Sequence, residues 1–149
     1  MGCDIHAYLE RHNGQRWEYV ADAFDVRQYG LFGWLADVRN YSAVPPISPP
    51  CGLPGDVTRR VRRDYEEWGF DAHTASWHLL EGLLAFDYDA TFEDRRVRLG
   101  NDYGHTAEPG GGKVVTYREF LGGWYFAELE RLKLLADGAP ARLVFWFDN

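Results

Sequence analysis

Apolar and polar residues alternate at the start of the chain, with Ile5, Ala7 and Leu9 set against Asp4, His6 and Tyr8. A period of two predicts a strand over residues 4–11, one side apolar and the other polar and aromatic. Asn13-Gly14 separates this run from Arg16-Trp17-Glu18-Tyr19-Val20, which predicts a hairpin closed by a type I′ turn. Residues 29–35 read as a short helix whose Gly30 and Gly33 let backbone or ligand come close. Five prolines between Val44 and Gly55 exclude helix and central strand, leaving a long, stiff loop of the kind that often carries function. Asp56 is placed to N-cap a helix running to about Trp68, with Gly69 as its stop. A second helix is expected over 74–86, with Trp77, Leu80 and Leu84 on one stripe. Residues 92–99 and 113–117 read as strands around Gly110-Gly111-Gly112. Thr116-Tyr117-Arg118-Glu119 is a capping box opening the longest helix, to about Ala136, ended by Gly138 and Pro140. Leu143, Phe145 and Phe147 then alternate with Arg142, Val144 and Trp146 in a C-terminal strand.

These elements predict one α+β domain over residues 1–149: a small, mainly antiparallel sheet with an N-terminal hairpin and a C-terminal strand, packed by three to four helices. The first strand is expected at or near the sheet centre. If the last strand pairs antiparallel with it, Asp148 approaches Asp4 and His6; a parallel pairing separates them by the strand length.

Composition narrows the function. The 149 residues are 46% hydrophobic and 26% charged, ordinary for a globular protein, but 16% are aromatic. A domain of this size cannot hide all of these rings, so some are expected to line a groove or an interface. A formal net charge of −7 argues against electrostatic coating of duplex nucleic acid, though not against one small anion in a locally basic pocket. No apolar run reaches the roughly 18–20 residues of a membrane span, and Asp4, His6, Glu10 and Arg11 break any signal-peptide pattern. The Met-Gly-Cys start fits dual lipidation only until position 6, where His6 stands in place of Ser or Thr. Cys3 and Cys51 are too few for a disulfide framework and read as reduced thiols in a cytoplasm.

The densest candidate chemistry is Asp4-x-His6, whose side chains share one strand face. A carboxylate beside an imidazole can ligate a metal, relay a proton or grip a polar ligand. The spacing returns at Asp71-x-His73, where His73 precedes the expected helix and would share its N-terminal dipole. His78 lies about 140° round that helix from His73, so the two are not a zinc pair. Arg59, Arg60, Arg62 and Arg63 precede Asp64, Glu66 and Glu67 and read as a solvated helix face, with Arg95, Arg96 and Arg98 adding further forks for phosphate. Arg39 and Asn40, beside Tyr41 and the proline loop, are better placed for a ligand. Gly110-Gly111-Gly112-Lys113 lacks the spacing and context of a phosphate loop and reads as a flexible connection. Asp102 and His105 in the 101–105 turn are further ligand candidates without a link to the first cluster. Nucleophilic catalysis lacks a partner pattern: Cys3 and His6 fall on opposite strand faces, and no Gly-x-Ser-x-Gly elbow is present.

The opening Met-Gly-Cys-Asp-Ile-His resembles a set of uncharacterised bacteriophage and bacterial proteins that begin with the same residues. The resemblance extends to Tyr29–Tyr41 with the proline loop, the Asp71–Trp77 segment and the Phe145–Asn149 end, about half the chain. It implies a phage-type accessory protein in bacterial cytoplasm, a class that includes proteins sequestering host defence signals. The leading expectation is therefore a binder of a small nucleotide-like anion, without cofactor, through Asp4, His6, Tyr8, Trp34, Arg39, Asn40, Tyr41 and His73. Tyr8, Trp34 and Tyr41 would stack on a base while arginines and a helix N-terminus take phosphate. Asp4, His6 and His73 are expected to converge in one pocket. The first alternative is a phosphoesterase-like hydrolase holding a divalent metal on Asp4, His6, His73 and Asp148. The second is an interaction protein, a homo-oligomer or an inhibitor of a host factor, which would use the same aromatic surplus.

Overall fold

The early alternation builds a nine-residue strand, β1 (Asp4–His12), and the following run builds β2 (Trp17–Ala23). The computed structural model describes residues 2–98 and 104–148. In chain order the elements continue with α1 (Tyr29–Ala36), α2 (Arg59–Trp68), β3 (His73–Leu79), α3 (Leu80–Ala85), β4 (Thr91–Asp94), β5 (Arg96–Val97) and β6 (His105–Thr106). They close with β7 (Lys113–Thr116), α4 (Tyr117–Leu121), α5 (Gly123–Ala136) and β8 (Ala141–Asp148). The fold is α+β, with a main antiparallel sheet in the order β2-β1-β8-β3. Contacts divide the chain into two compact units: Met1–Arg27, Pro50–Phe86 and Tyr125–Asn149 form the first, Gln28–Pro49 and Asp87–Trp124 the second. One crossing between units falls inside the proline segment, at Pro49–Pro50.

The first unit contains the main sheet. β8 pairs with β1 from Asp4↔Asp148 to Arg11↔Ala141, so β1 has neighbours on both sides. Ile5, Ala7 and Leu9 share one face with the fully buried Leu143, Phe145 and Phe147. Arg11, on that same face, donates to the Leu135 carbonyl of α5, a helix that buries Tyr125, Leu129, Leu132 and Ala136 at helical spacing. The other face was expected to be polar and aromatic, without a covering element. It is covered instead, because Val57 together with Val61 of α2 packs on Tyr8, Val144 and Trp146.

Local signals and tertiary partners disagree in four places. The hairpin forms, but its turn is not type I′: Asn13 Oδ1 accepts the N–H groups of Gln15 and Arg16, and only Gly14 takes a positive φ, +97°. Residues 74–79 form β3 rather than the start of a helix, with Ser76 opposite Phe145 and Trp77 opposite Val144. A strand with buried residues on both faces loses its alternation, and Trp77, Leu80 and Leu84 imitate a helical stripe. Asp56 does not cap α2, whose N-cap is Thr58; there the carboxylate of Glu10 accepts the Thr58 N–H at 2.8 Å. The capping box at Thr116 and Glu119 forms as expected, but the helix it opens ends at Gly122 (φ +81°), and α5 starts afresh. On the free edge of β3, the Gly52 N–H donates to the Ala75 carbonyl at 2.8 Å, pairing part of that edge.

In the second unit, β4 pairs with β7 and β5 with β6 as two short antiparallel ribbons. Leu99 and Asp102, read above as a strand end and a ligand, lie outside the described residues. Among the described residues no helix is long and apolar enough to cross a membrane.

Candidate functional site

At the open end of the main sheet, the antiparallel register brings Asp148 to both early residues. His6 Nε2 lies 2.7 Å from Asp148 Oδ2, and the Asp4 N–H donates to Asp148 Oδ1 at 3.2 Å. The His6 ring sits 4.5 Å from Trp68 and 5.9 Å from Trp146. Asp4 turns its carboxylate outward to a bidentate fork from Arg27, both hydrogen bonds 2.8 Å. The guanidinium holds the Asp4 carboxyl below the usual carboxylate range, against a smaller opposing effect of burial. A depressed carboxyl stabilises the fold above its unfolded pKa, near 3.9, and that contribution is lost as pH falls through the folded value. Both partners are about half exposed, so solvent screening keeps the effect under about 1 kcal/mol. Arg27→Gln is expected to move the Asp4 titration upward in carbon NMR while lowering neutral-pH stability by less than that amount. An unchanged Asp4 midpoint would show that Arg27 is not its cause.

The remaining expected residues do not gather there. His73 stands opposite Phe147 and its ring packs 6.2 Å from that ring, whereas His6 stands opposite Trp146. Adjacent β8 residues point to opposite faces, so the two histidines project from opposite sides of the sheet. The expected convergence of Asp4, His6 and His73 is therefore not found. His73 Nδ1 meets Thr74 Oγ1 at 2.9 Å, and its buried Nε2 has no partner. The metal set proposed from sequence fits poorly: Asp4 is committed to Arg27 and His73 is on the far face. Among the described residues no three His, Cys, Asp or Glu groups cluster as metal ligands. Tyr8 is core, ring-stacked on Trp146 at 5.1 Å, and burial first, then Asp64, pushes its phenol pKa up. Trp34 is fully buried, 5.8 Å from Tyr88, and offers no face to a base. Asn40 clips its own loop, donating to Asp37 and to the Val44 carbonyl while accepting the Val44 N–H.

The second unit contains a cleft of about 520 Å³, within the ordinary range of small-molecule sites. Arg96, Arg98 and Lys113 line it, with Glu119, Val115 and Phe120. Of the expected ligand residues, Tyr41 lies beside Arg96 and Arg39 beside Tyr29. The Arg96 guanidinium sits 5.4 Å from the Tyr41 ring and 5.9 Å from Tyr29, and Arg39 approaches Tyr29 at the same distance. Burial, and after it the neighbouring Arg98, lower the Arg96 pKa from its ordinary value; a guanidinium stays charged at neutral pH all the same. Arg98 and Lys113 are exposed and form no ion pair among the described residues. The neighbouring triple glycine is not a free tether, because Glu93 accepts the N–H groups of Gly110 and Gly112 and its pKa falls accordingly.

Sequence reasoning noted the arginines and the capping box separately and missed that they share one cleft. The signal was the pairing of β4 with β7, Thr91↔Thr116 to Asp94↔Lys113, which brings two segments about twenty residues apart onto one ribbon. Compared with known proteins, the chain matches no family model, no curated protein and no solved structure.

Proposed function

We propose that the protein binds a small, ring-bearing anion of the nucleotide class in the second-unit cleft and holds it unchanged. One observation carries this reading: three cations, Arg96, Arg98 and Lys113, line a single cleft of a chain whose net charge is −7. Arginine forks and a lysine suit phosphate oxygens, and Val115 with Phe120 gives the same cleft an apolar wall for a planar ring. Among the described residues lining it there is no imidazole or thiol to activate a nucleophile, which favours capture over conversion. Capture of this kind would let an accessory protein withdraw a nucleotide signal from a bacterial cytoplasm.

Arg98→Ala and Lys113→Ala are each expected to weaken nucleotide binding about tenfold or more, since a hydrogen bond to a charged group is worth roughly 1.5–3 kcal/mol. The melting temperature of the free variants should stay close to that of the parent, because both side chains are exposed. Arg62→Ala on the outer surface of α2 serves as the charge-matched control. Calorimetric titration with nucleoside monophosphates reads the affinity, and chromatography after denaturation reads the recovered ligand. Equal loss in the control, or time-dependent conversion of the nucleotide, would sink the reading.

A further inference from the structure

The cleft is polarised along the β4–β7 ribbon. Lys113 stands opposite Asp94 at one end, and Arg96 and Arg98 follow Asp94 beyond it. Thr116 stands opposite Thr91 at the other end, three residues on, about 10 Å along the strand. There the capping box places Glu119: its Oε1 accepts from the Thr116 N–H and hydroxyl, and its Oε2 makes no hydrogen bond among the described residues. Phe120 follows, its ring edge-on to Phe92 at 4.8 Å and packed against Gly30. Cations thus sit at one end and an aromatic ring with an open carboxylate oxygen at the other. The backbone spacing of about 10 Å between these two ends is of the order of the distance from a purine's pairing edge to its 5′ phosphate.

From this arrangement we infer that Glu119 selects guanine, an inference that rests on the nucleotide-binding reading of the cleft. An ionised carboxylate only accepts hydrogen bonds. Guanine presents two adjacent donors, N1–H and the N2 amino group, and matches it. Adenine sets its N6 amino donor beside the N1 lone pair, and cytosine likewise sets N4 beside N3, so each turns one acceptor toward the carboxylate. Uracil offers a single N3–H flanked by two carbonyls. Asp94, the other carboxylate among the described residues lining the cleft, lies at the cationic end with Oδ1 accepting the Arg96 N–H, which leaves Glu119 as the reader of the base.

Glu119→Gln separates this role from the helix cap. Glutamine at the same position still completes a capping box, but its amide puts a donor where the open acceptor stood. Calorimetric titration of parent and variant with GMP, AMP and inorganic phosphate forms the test. The parent should bind GMP at least about tenfold more tightly than AMP, the scale of one good bidentate base contact. In the variant, GMP should weaken by about the same factor, with AMP and phosphate little changed and the free melting temperature maintained. Equal GMP and AMP affinities in the parent would overturn the selection while leaving nucleotide binding intact. No binding of either nucleotide or of phosphate would overturn the cleft reading itself. A guanine preference that survives Glu119→Gln would take the role from Glu119. The parent comparison alone decides guanine selection should the variant fail to fold.

Discussion

Arg142→Ala is expected to cost about 3–5 kcal/mol of folding stability, the range for removing one partner of a buried ion pair. Arg142 is 3% exposed and Glu10 is fully buried. The guanidinium donates from Nε to Glu10 Oε1 at 2.7 Å and from Nη1 to Asp56 Oδ1 at 2.8 Å, and it lies 3.9 Å from the Trp17 ring centroid. Truncation would leave the Glu10 carboxylate in the interior without its countercharge and release Asp56, whose pKa Arg142 depresses. It would also empty the space against Trp17. The paired change Glu10→Gln with Arg142→Met should recover much of the loss, because the orphaned charge, rather than the missing bridge, dominates the cost. Urea unfolding of the parent and these two variants measures this. A single-variant loss below about 1 kcal/mol, or a double variant no better than Arg142→Ala, would show that the cluster is solvated and weak.

Removing residues 1–6 should abolish cooperative folding of the first unit. β1 lies between β2 and β8, so the deletion takes ladder positions 4–6 from the middle of the sheet. It also removes the buried Cys3 and Ile5, and both donors to Asp148. A buried aliphatic side chain is worth about 1.5–3 kcal/mol and each net hydrogen bond about 1, against a total stability of only about 5–15. The expected readout is a broad, non-cooperative thermal trace. A sharp calorimetric transition in the truncated chain would mean that β2, β8 and β3 hold the sheet without it.

How much of this was legible depended on whether the signal was local. Ile5, Ala7 and Leu9 alternate because only one side of β1 is uniformly apolar, and that sufficed to find the strand; the approach of Asp148 to His6 followed only for the antiparallel one of two pairings that the sequence left open. Thr116 and Glu119 announced a helix start because a capping box is complete within four residues. β3 was misread because Ala75 and Ser76 are both buried, on opposite faces, and no period survives that. Asp56 was misassigned because its partner, Arg142, is 86 residues away. Among site residues, counting aromatics could not separate Trp34, sealed in a core, from Phe120, which lines a cleft. Likewise, Asp-x-His spacing could not reveal that His6 and His73 would leave the sheet on opposite faces.

The place of β8 between β1 and β3 has a consequence for how the chain comes off the ribosome. β1 pairs with residues more than a hundred positions later, and β3 waits for the same strand. At about 5–20 residues per second, translation leaves β1 without that neighbour for on the order of ten seconds, far longer than a hairpin needs to form. Through that interval the β1–β2 hairpin must carry Ile5, Ala7 and Leu9 unburied, with one edge open to any passing strand. Yield in a cell should therefore depend more on chaperone supply and synthesis rate than on the stability of the finished fold.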